Sequence, residues 1–165
     1  MYISLNLPTI ETKKIKWNTN KIIDKSSKST INVNGKLGYW AYSVDDFTYK
    51  TLQEFFPTEI MVNSRVLVQF LRSTTNDNPH RDSYPWTFMY MLDDASGYTT
   101  LYDENKKIVS SHVTHNRNWA LFKSWCWHSP AGIKENKIRK ALVIRLKKDF
   151  DLRFLLESTN VTEIR

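Results

Sequence analysis

The histidines of this sequence are the side chains best suited to chemistry. His80 and Asp82 stand two residues apart, and in an extended segment side chains at i and i+2 lie on the same face. An imidazole nitrogen and a carboxylate oxygen are ligands for a divalent metal ion, but two ligands leave such an ion half coordinated. A third ligand must come from elsewhere in the chain, and another histidine is the best candidate.

His128 is the histidine best placed to complete the set. It stands 46 residues after Asp82, at the end of the strand-like aromatic run 119–127. A strand that returns across the same barrel would bring His128 opposite His80. Two histidines and one carboxylate on one face of an octahedron leave three positions open, which is the arrangement that activates dioxygen on non-haem Fe(II).

Arg139 supplies a cation 11 residues after His128, at the start of the strand-like run 140–147. A guanidinium that points inward among apolar neighbours needs an anion to offset its desolvation. It also binds a carboxylate through two parallel hydrogen bonds, which lysine cannot do. An open metal site beside a buried arginine suggests a ligand with a chelating end and a distal carboxylate, and 2-oxoglutarate has that shape.

Each of these residues has an ordinary structural interpretation when it is considered alone. His80 and Asp82 fit a loop pair, His128 fits a half-buried core histidine, and Arg139 fits a surface charge beside lysines. Only their joint order along the chain favours a metal site.

Composition limits the classes of protein that could carry such a site. The chain has 165 residues, 24 Lys+Arg against 17 Asp+Glu, and 41% hydrophobic residues, which is typical of one globular domain. No apolar run approaches the ~20 residues needed to cross a bilayer, and the first residues do not look like a signal peptide. The single cysteine, Cys126, excludes an intramolecular disulfide. We therefore expect a cytoplasmic protein with no membrane segment.

Short strands dominate the pattern of the chain. Residues 30–44 predict two strands around Asn34-Gly35, and residues 45–56 predict a helix that Pro57 ends. About seven short strands at 8–15-residue spacing then favour a sandwich, jelly roll or barrel. The predicted strands are 65–72, 86–92, 98–103, 108–113, 119–124 and 140–147, with a short extended piece at 79–84.

These motifs, in this order, resemble the 2-oxoglutarate/Fe(II)-dependent oxygenases, in particular the small prolyl-hydroxylase-like branch of bacteria and phages. The resemblance covers about residues 65–148. The family order is His-x-Asp, an aromatic strand, a Gly-Gly-x-Thr-x-Phe-Tyr segment, a Phe-rich strand reaching the distal His, and Arg-x-Ser. The matching segments here are HRDS (80–83), TFMYMLD (87–93), SGYTTLY (96–102), WALFKSWCWHSP (119–130) and RKALVIRL (139–146).

The resemblance implies a fold and a set of site residues. The expected fold is mainly β, a double-stranded β-helix (jelly roll) with a few flanking helices. It would be a single domain over 1–165, with an N-terminal flank (1–64), a catalytic core (65–148) and a C-terminal tail (149–165). The implied iron ligands are His80, Asp82 and His128, and the implied ligand of the distal oxoglutarate carboxylate is Arg139.

Some positions depart from the family pattern. Ser96-Gly97 replaces the Gly-Gly pair, and Ala141 replaces the hydroxyl residue that follows the arginine. Tyr90 stands one place before the usual tyrosine position, which holds Met91. Tyr90 is therefore predicted as a second co-substrate-binding residue.

The expected activity is that of an Fe(II)/2-oxoglutarate-dependent dioxygenase. It would use O2, release succinate and CO2, and hydroxylate an unidentified substrate in the cytoplasm, or in the host cytoplasm if a phage encodes the chain. A peptidyl residue such as proline is the first choice of substrate, an alkylated nucleobase the second and a small molecule the third. The alternative from another class is a non-enzymatic β-sandwich or a cupin-like metal-binding or interaction module.

Overall fold

The protein is built mainly from antiparallel strands with few helices. The structure is a computed structural model that describes residues 1–25, 32–33, 35–93, 97–113 and 117–159, with 32–33 described by their backbone alone. The helices are α1 (Asp46–Gln53), α2 (Thr58–Val62) and α3 (Leu152–Ser158), with 3-10 turns at Thr12–Lys14 and Ser73–Thr75. The strands are β1 (Tyr2–Leu5), β2 (Asp24–Lys25), β3 (Asn32–Val33), β4 (Lys36–Leu37), β5 (Tyr39–Ser43), β6 (Ser64–Leu71), β7 (Trp86–Met91), β8 (Tyr98–Tyr102), β9 (Ile108–Val113), β10 (Trp119–Lys123), β11 (His128–Ala131) and β12 (Arg139–Leu146).

The strands form two facing sheets with jelly-roll connectivity. The larger sheet has the order β1-β10-β7-β12-β6-β5-β2, and the smaller one has the order β11-β8-β9. The chain alternates between the sheets: β7 and β10 lie in the larger, β8, β9 and β11 in the smaller, and β12 returns to the larger. The segment before β7 joins the smaller sheet through a bridge between His80 and His128. This is the double-stranded β-helix that the sequence predicts, and the prediction of fold class is confirmed.

Strand β7, an interior strand of the larger sheet, is buried on both faces, and the two faces contact different parts of the protein. Trp86, Phe88 and Tyr90 pack into the main hydrophobic core beneath the flanking helices. Met89 points to the other face, between the two sheets. Because side chains alternate across a strand, this parity decides which residues can reach the interior of the jelly roll.

The N-terminal segment packs directly against the jelly roll. Strand β1 pairs with β10, and β5 pairs with the edge of β6. Asp45 caps the N-terminus of helix α1, and its carboxylate accepts a hydrogen bond from the Thr48 backbone N–H at 2.8 Å. Leu52 on this helix is fully buried in the main core. The segment therefore covers one face of the larger sheet and extends it at both edges.

The observed elements follow the predicted ones closely within the jelly roll. Helix α1 is shorter than predicted and ends at Gln53, since Phe55 and Phe56 already bond back to Leu52 in a turn. Strands β1 and β11 were missed in the sequence patterns. Asn34, part of the predicted hairpin turn, and residues 160–165 of the predicted tail lie outside the described residues. None of the described helices is long and apolar enough to span a membrane.

Candidate metal centre

Three side chains converge at one end of the jelly-roll interior. His80 Nε2 lies 3.8 Å from one carboxylate oxygen of Asp82, and His128 Nε2 lies 3.8 Å from the other. One donor atom from each residue falls within 4.8 Å of the other two. These separations are too long for hydrogen bonds between the donors and short enough for all three to bind one ion. The structure thus brings together the three metal ligands predicted from the sequence.

Backbone hydrogen bonds hold the two histidines side by side. The His80 N–H donates to the His128 carbonyl at 2.9 Å, and the His128 N–H donates to the His80 carbonyl at 3.0 Å. The Asp82 N–H donates to the Ser124 carbonyl at 3.0 Å, which fixes the backbone at Asp82, two residues after His80. The extended conformation places His80 and Asp82 on the same face, as the i and i+2 spacing predicts.

The second nitrogen of each imidazole is hydrogen-bonded to a backbone carbonyl. His80 Nδ1 lies 3.0 Å from the Asn78 oxygen, and His128 Nδ1 lies 2.9 Å from the Cys126 oxygen. A carbonyl only accepts, so each Nδ1 carries a proton, and in the neutral form of each ring Nε2 keeps its lone pair. Both histidines therefore present a free Nε2 lone pair beside the Asp82 carboxylate, which is the form that binds a metal ion.

His128 is the most enclosed of the three ligands. Its side chain is 7% exposed, against 45% for His80, and the Phe122 ring packs edge-on against it at 5.2 Å. Burial lowers the pKa of His128 to about 4, and the adjacent His80 adds to this effect. His128 is therefore neutral at pH 7 and needs to lose no proton on binding a metal ion.

The three ligands line a cavity of about 310 Å³ between the two sheets. Small-molecule sites are commonly cavities of this kind, apolar in most of their lining with a few convergent polar groups. Apart from the ligands, the lining comprises Asp24, Lys25, Tyr39, Gln69, Leu71, Thr75, Asn78, Thr87, Met89, Thr99, Phe122, Ser129, Pro130, Arg139 and Arg145.

Arg139 lies in this cavity and is 2% exposed. Its guanidinium donates to the Tyr98 carbonyl at 3.1 Å, to Thr99 Oγ1 at 3.3 Å and to Met89 Sδ at 3.3 Å. Its Nε is buried without a hydrogen-bond partner, and no carboxylate of the described residues lies within ion-pair distance. Complete burial lowers the pKa of Arg139 to about 10, so the group is still a cation at pH 7. A buried cation in this state is suited to bind an anion.

A second buried arginine, Arg145, lies on the same face of β12 and was missed in the sequence. It is 8% exposed and pairs with Asp24 at 3.1 Å, with Tyr39 Oη at 3.2 Å and with Gln69 Oε1 at 3.5 Å. Arg139 and Arg145 are six residues apart, so period-two alternation puts both on one face of the strand. That spacing was the signal available in the sequence.

Tyr90 does not belong to the cavity, and its prediction as a co-substrate ligand is wrong. Its hydroxyl accepts from the Ile10 N–H at 3.0 Å and donates to the Ile10 carbonyl at 2.9 Å. It is fully buried in the main core beside Trp119. The physical reason is the parity of β7, which turns Met89 into the cavity and Tyr90 to the opposite face.

No protein-family model and no curated protein matches this sequence.

Several solved structures resemble the fold at low sequence identity. Hydroxypropylphosphonic acid epoxidase from S. wedmorenis is 10% identical with a TM-score of 0.49, over 85% of this chain and 59% of that one. A structure described as Fe(II)-HppE with alternative substrate (S)-1-HPP is 8% identical with a TM-score of 0.47, over 86% and 60%. Streptomyces albus HEPD, with 2-hydroxyethylphosphonate and Fe(II) bound, is 13% identical with a TM-score of 0.46, over 76% and 25%. The chain thus spans a quarter to three fifths of the length of these proteins, and the roles proposed below rest on its own side chains.

Proposed function

We propose that this protein is an Fe(II)- and 2-oxoglutarate-dependent dioxygenase. The observation that carries the proposal is the convergence of His80, Asp82 and His128 in one cavity with Arg139, a buried cation. A three-donor metal site alone would fit many metalloproteins. The buried guanidinium in the same cavity adds a second, anionic requirement on the ligand. A keto acid with a distal carboxylate meets both requirements.

The donor set fits ferrous iron. Two neutral imidazole nitrogens and one carboxylate oxygen would hold the ion, and the cavity leaves room for exogenous ligands on its open side. Bound there, iron would supply the activation of O2 that couples oxidation of 2-oxoglutarate to succinate and CO2 with hydroxylation of a substrate. The Asn78 and Cys126 carbonyls would keep the two Nε2 atoms directed at the ion.

Arg139 would bind the distal carboxylate of 2-oxoglutarate. Its guanidinium is held in place by the Tyr98 carbonyl and by Thr99 Oγ1, and Thr99 also lines the cavity. Ala141, which replaces the hydroxyl residue of the family pattern, offers no hydrogen bond, so Thr99 is the hydroxyl beside the proposed carboxylate position. The enclosing walls, including Phe122 and Met89, would keep bulk water from the reacting groups.

The proposed substrate is a peptidyl residue such as proline, which the family resemblance implies. Fe(II), 2-oxoglutarate and O2 are the proposed cofactor and co-substrates, and the proposed location is the cytoplasm. In this function the chain's own residues bind and orient the reactants, and they exclude water from them.

Anaerobic titration tests the proposal directly. Adding Fe(II) and then 2-oxoglutarate should produce a visible charge-transfer absorbance, and admission of O2 should yield succinate. His80→Ala and Asp82→Ala should abolish both signals because each removes a metal ligand. Succinate formation at the wild-type rate by either variant would contradict the assignment, and metal binding without any response to 2-oxoglutarate would favour a cupin-like metal-binding module.

Arg139→Ala tests the anion site separately. Loss of two charge-assisted hydrogen bonds should raise the half-saturating 2-oxoglutarate concentration by about tenfold to a hundredfold, with Fe(II) affinity retained. Tyr90→Phe is the matched control, because the Tyr90 hydroxyl bonds to Ile10 rather than to the cavity. An unchanged titration for Arg139→Ala, or a shifted one for Tyr90→Phe, would remove the proposed role of Arg139.

A further inference from the structure

The cavity contains a second cationic region that the proposed reaction does not use. Arg145 and Arg65 are directly opposite each other in the register of β12 and β6, on the face that lines the interior. Like charges opposite each other across two strands destabilise a sheet unless an anion lies between or near them. Lys25, from the neighbouring N-terminal strand β2, adds a third cation to the same end of the cavity.

Asp24 is the carboxylate that forms an ion pair in this cationic region. Its Oδ2 lies 3.1 Å from Arg145 Nη1 and also accepts a hydrogen bond from the Tyr39 hydroxyl at 3.0 Å. Among the described residues, no other carboxylate lies within ion-pair distance of either arginine. Arg65 instead donates to the Ile23 carbonyl at 3.0 Å. Asp24 is therefore the one described carboxylate beside Arg145 and Lys25, which line the cavity, and beside Arg65, which is opposite Arg145 on β6.

Arg145 is buried and incompletely satisfied. It donates through its two terminal nitrogens, but its Nε is buried and has no hydrogen-bond partner. The ring centroids of Tyr39 and Tyr84 lie 5.8 and 5.7 Å from its guanidinium carbon, within the range of cation–π contacts. The donor is thus fixed in direction and has capacity for a further acceptor.

Loading the metal centre would leave this charge in place. In the proposed complex, Fe(II) and Arg139 carry three positive charges, and Asp82 with the 2-oxoglutarate dianion carries three negative charges. Arg145 and Lys25 in the cavity lining, with Arg65 opposite Arg145 on β6, then leave a formal surplus of two positive charges over Asp24. A low-dielectric cavity with a net positive charge selects an anion.

We propose that Arg145, with Arg65 and Lys25, binds an acidic group, a carboxylate or a phosphate, of the substrate that is oxidised. That the bound anion belongs to the oxidised substrate rests on the proposed function. That an anion binds here rests on the two arginines alone. Asp24 occupies the position of that group in the ligand-free protein and acts as an internal competitor. The side chain of Asp24 is 33% exposed on the two-residue strand β2, so it can turn aside without opening the core.

Calorimetric titration with simple anions tests the site. Sodium phosphate and sodium acetate are titrated separately at constant ionic strength into protein held anaerobically with Fe(II) and 2-oxoglutarate. Arg145→Gln should weaken binding of the preferred anion by about tenfold, the value of one charge-assisted hydrogen bond. Asp24→Asn should tighten binding about threefold or more, because it removes the competing charge. Lys148→Gln, an exposed lysine paired with Glu59, is the control and should leave binding unchanged.

The two variants give opposite responses, which a merely structural role would not produce. Equal binding by Arg145→Gln and wild type would overturn the proposal, and so would a failure of Asp24→Asn to tighten binding. If Arg145→Gln does not fold, judged by its circular dichroism and thermal melt, the Asp24→Asn result decides alone. The preferred anion distinguishes a carboxylate from a phosphate group.

Repeating the titrations on metal-free Arg139→Gln protein separates this inference from the proposed function. Anion binding that persists there, with the same responses to Asp24 and Arg145 substitutions, supports the second site even if 2-oxoglutarate turnover is never observed. Loss of anion binding in Arg139→Gln would assign the anion to Arg139 and overturn the second site.

Discussion

At the scale of the residue, Arg139 is a cation kept in the interior at a cost to stability. It is 2% exposed, its Nε has no partner, and no described carboxylate pairs with it. Desolvation of this guanidinium opposes folding and outweighs the longer-range attraction of Asp93, so an apolar side chain of similar length should fit better in the ligand-free protein.

We expect Arg139→Met to raise the free energy of unfolding of the metal-free protein by about 1–3 kcal/mol. Urea denaturation followed by tryptophan fluorescence measures this change. Lys147→Met, an exposed lysine just beyond the same strand, serves as the control and should change little. A destabilised Arg139→Met would mean that the bonds to Tyr98 and Thr99 outweigh the desolvation of the charge.

His128 makes stability depend on pH in the acidic range. Its pKa is lowered from 6.5 to about 4 by burial first and by His80 second. The unfolded chain therefore binds a proton at a higher pH than the folded protein does, and stability falls as the pH drops from about 6.5 to about 4.

In metal-free protein this effect should amount to a loss of up to about 3 kcal/mol over that interval. Urea denaturation at a series of pH values measures the slope. His128→Asn should reduce the dependence of the free energy of unfolding on pH between about 4 and 6.5, and it should leave that dependence near pH 7 unchanged. Parallel curves for the variant and wild type would show that other groups govern acid unfolding.

The candidate metal ligands could be predicted at this scale, whereas for Arg145 the only available signal was its six-residue spacing from Arg139, and its partners could not be predicted. His80, Asp82 and His128 carry their signal in residue type and order, because few other chemistries need that set. Arg145 looks like an ordinary strand arginine until its partners Asp24 and Tyr39, more than 100 residues away in the chain, are known. Long-range partners of this kind leave no local pattern.

At the scale of the element, strand β11 lies between the candidate metal centre and a turn that requires a positive φ. It runs from the ligand His128 to Ala131, and Gly132 follows with φ of +69°. A Cβ at Gly132 would lie 2.8 Å from ring carbons of Tyr98, whose carbonyl accepts a hydrogen bond from Arg139. A side chain at Gly132 would therefore be strained and would also displace Tyr98.

Gly132→Ala and Gly35→Ala form a matched pair. Gly35 has φ of +71°, but a Cβ there would meet nothing within 4 Å. Gly35→Ala should cost about 1 kcal/mol from backbone strain alone, and Gly132→Ala about 1–2 kcal/mol more. Thermal denaturation compares them, and equal losses would show that the Tyr98 ring moves aside without cost.

Strand parity explains what the sequence patterns could and could not predict about the elements. Strand β12 and its neighbours were predicted from their apolar runs. That strand pattern left a sandwich, a jelly roll or a barrel open, and the family resemblance implied the jelly roll. Tyr90 was predicted as a site residue from its place next to the family's tyrosine position. A strand buried on both faces, such as β7, has no polar alternation that could have shown that Tyr90 faces away from the cavity. Strand β11, with the sequence His-Ser-Pro-Ala, has none of the usual strand composition.

At the scale of the whole molecule, the N-terminal segment and the jelly roll depend on each other. Strand β1 covers the edge of β10, β5 covers the edge of β6, and Tyr90 is bonded to Ile10. Tyr2 stacks on His112 of the smaller sheet, with ring centroids 4.4 Å apart. Removing this segment would expose two strand edges and one face of the larger sheet.

We therefore expect a fragment of residues 65–148 to lack a cooperative thermal transition, whereas the full chain melts cooperatively. Circular dichroism at increasing temperature measures both. A cooperative melt of the fragment near that of the full chain would show that the N-terminal segment is an independent addition.

The paired backbone hydrogen bonds between His80 and His128 mean that a metal ion bound by both side chains would connect two distant parts of the chain. The two amide protons of that bridge sit on the two ligands themselves, so an ion held by both imidazoles would also keep the bridge closed. Their exchange with deuterated solvent should slow markedly when metal is added, while amides at the far end of β9 keep their rates. The exchange rates of these two amides would thereby measure occupancy of the metal site, and the substrate need not be known.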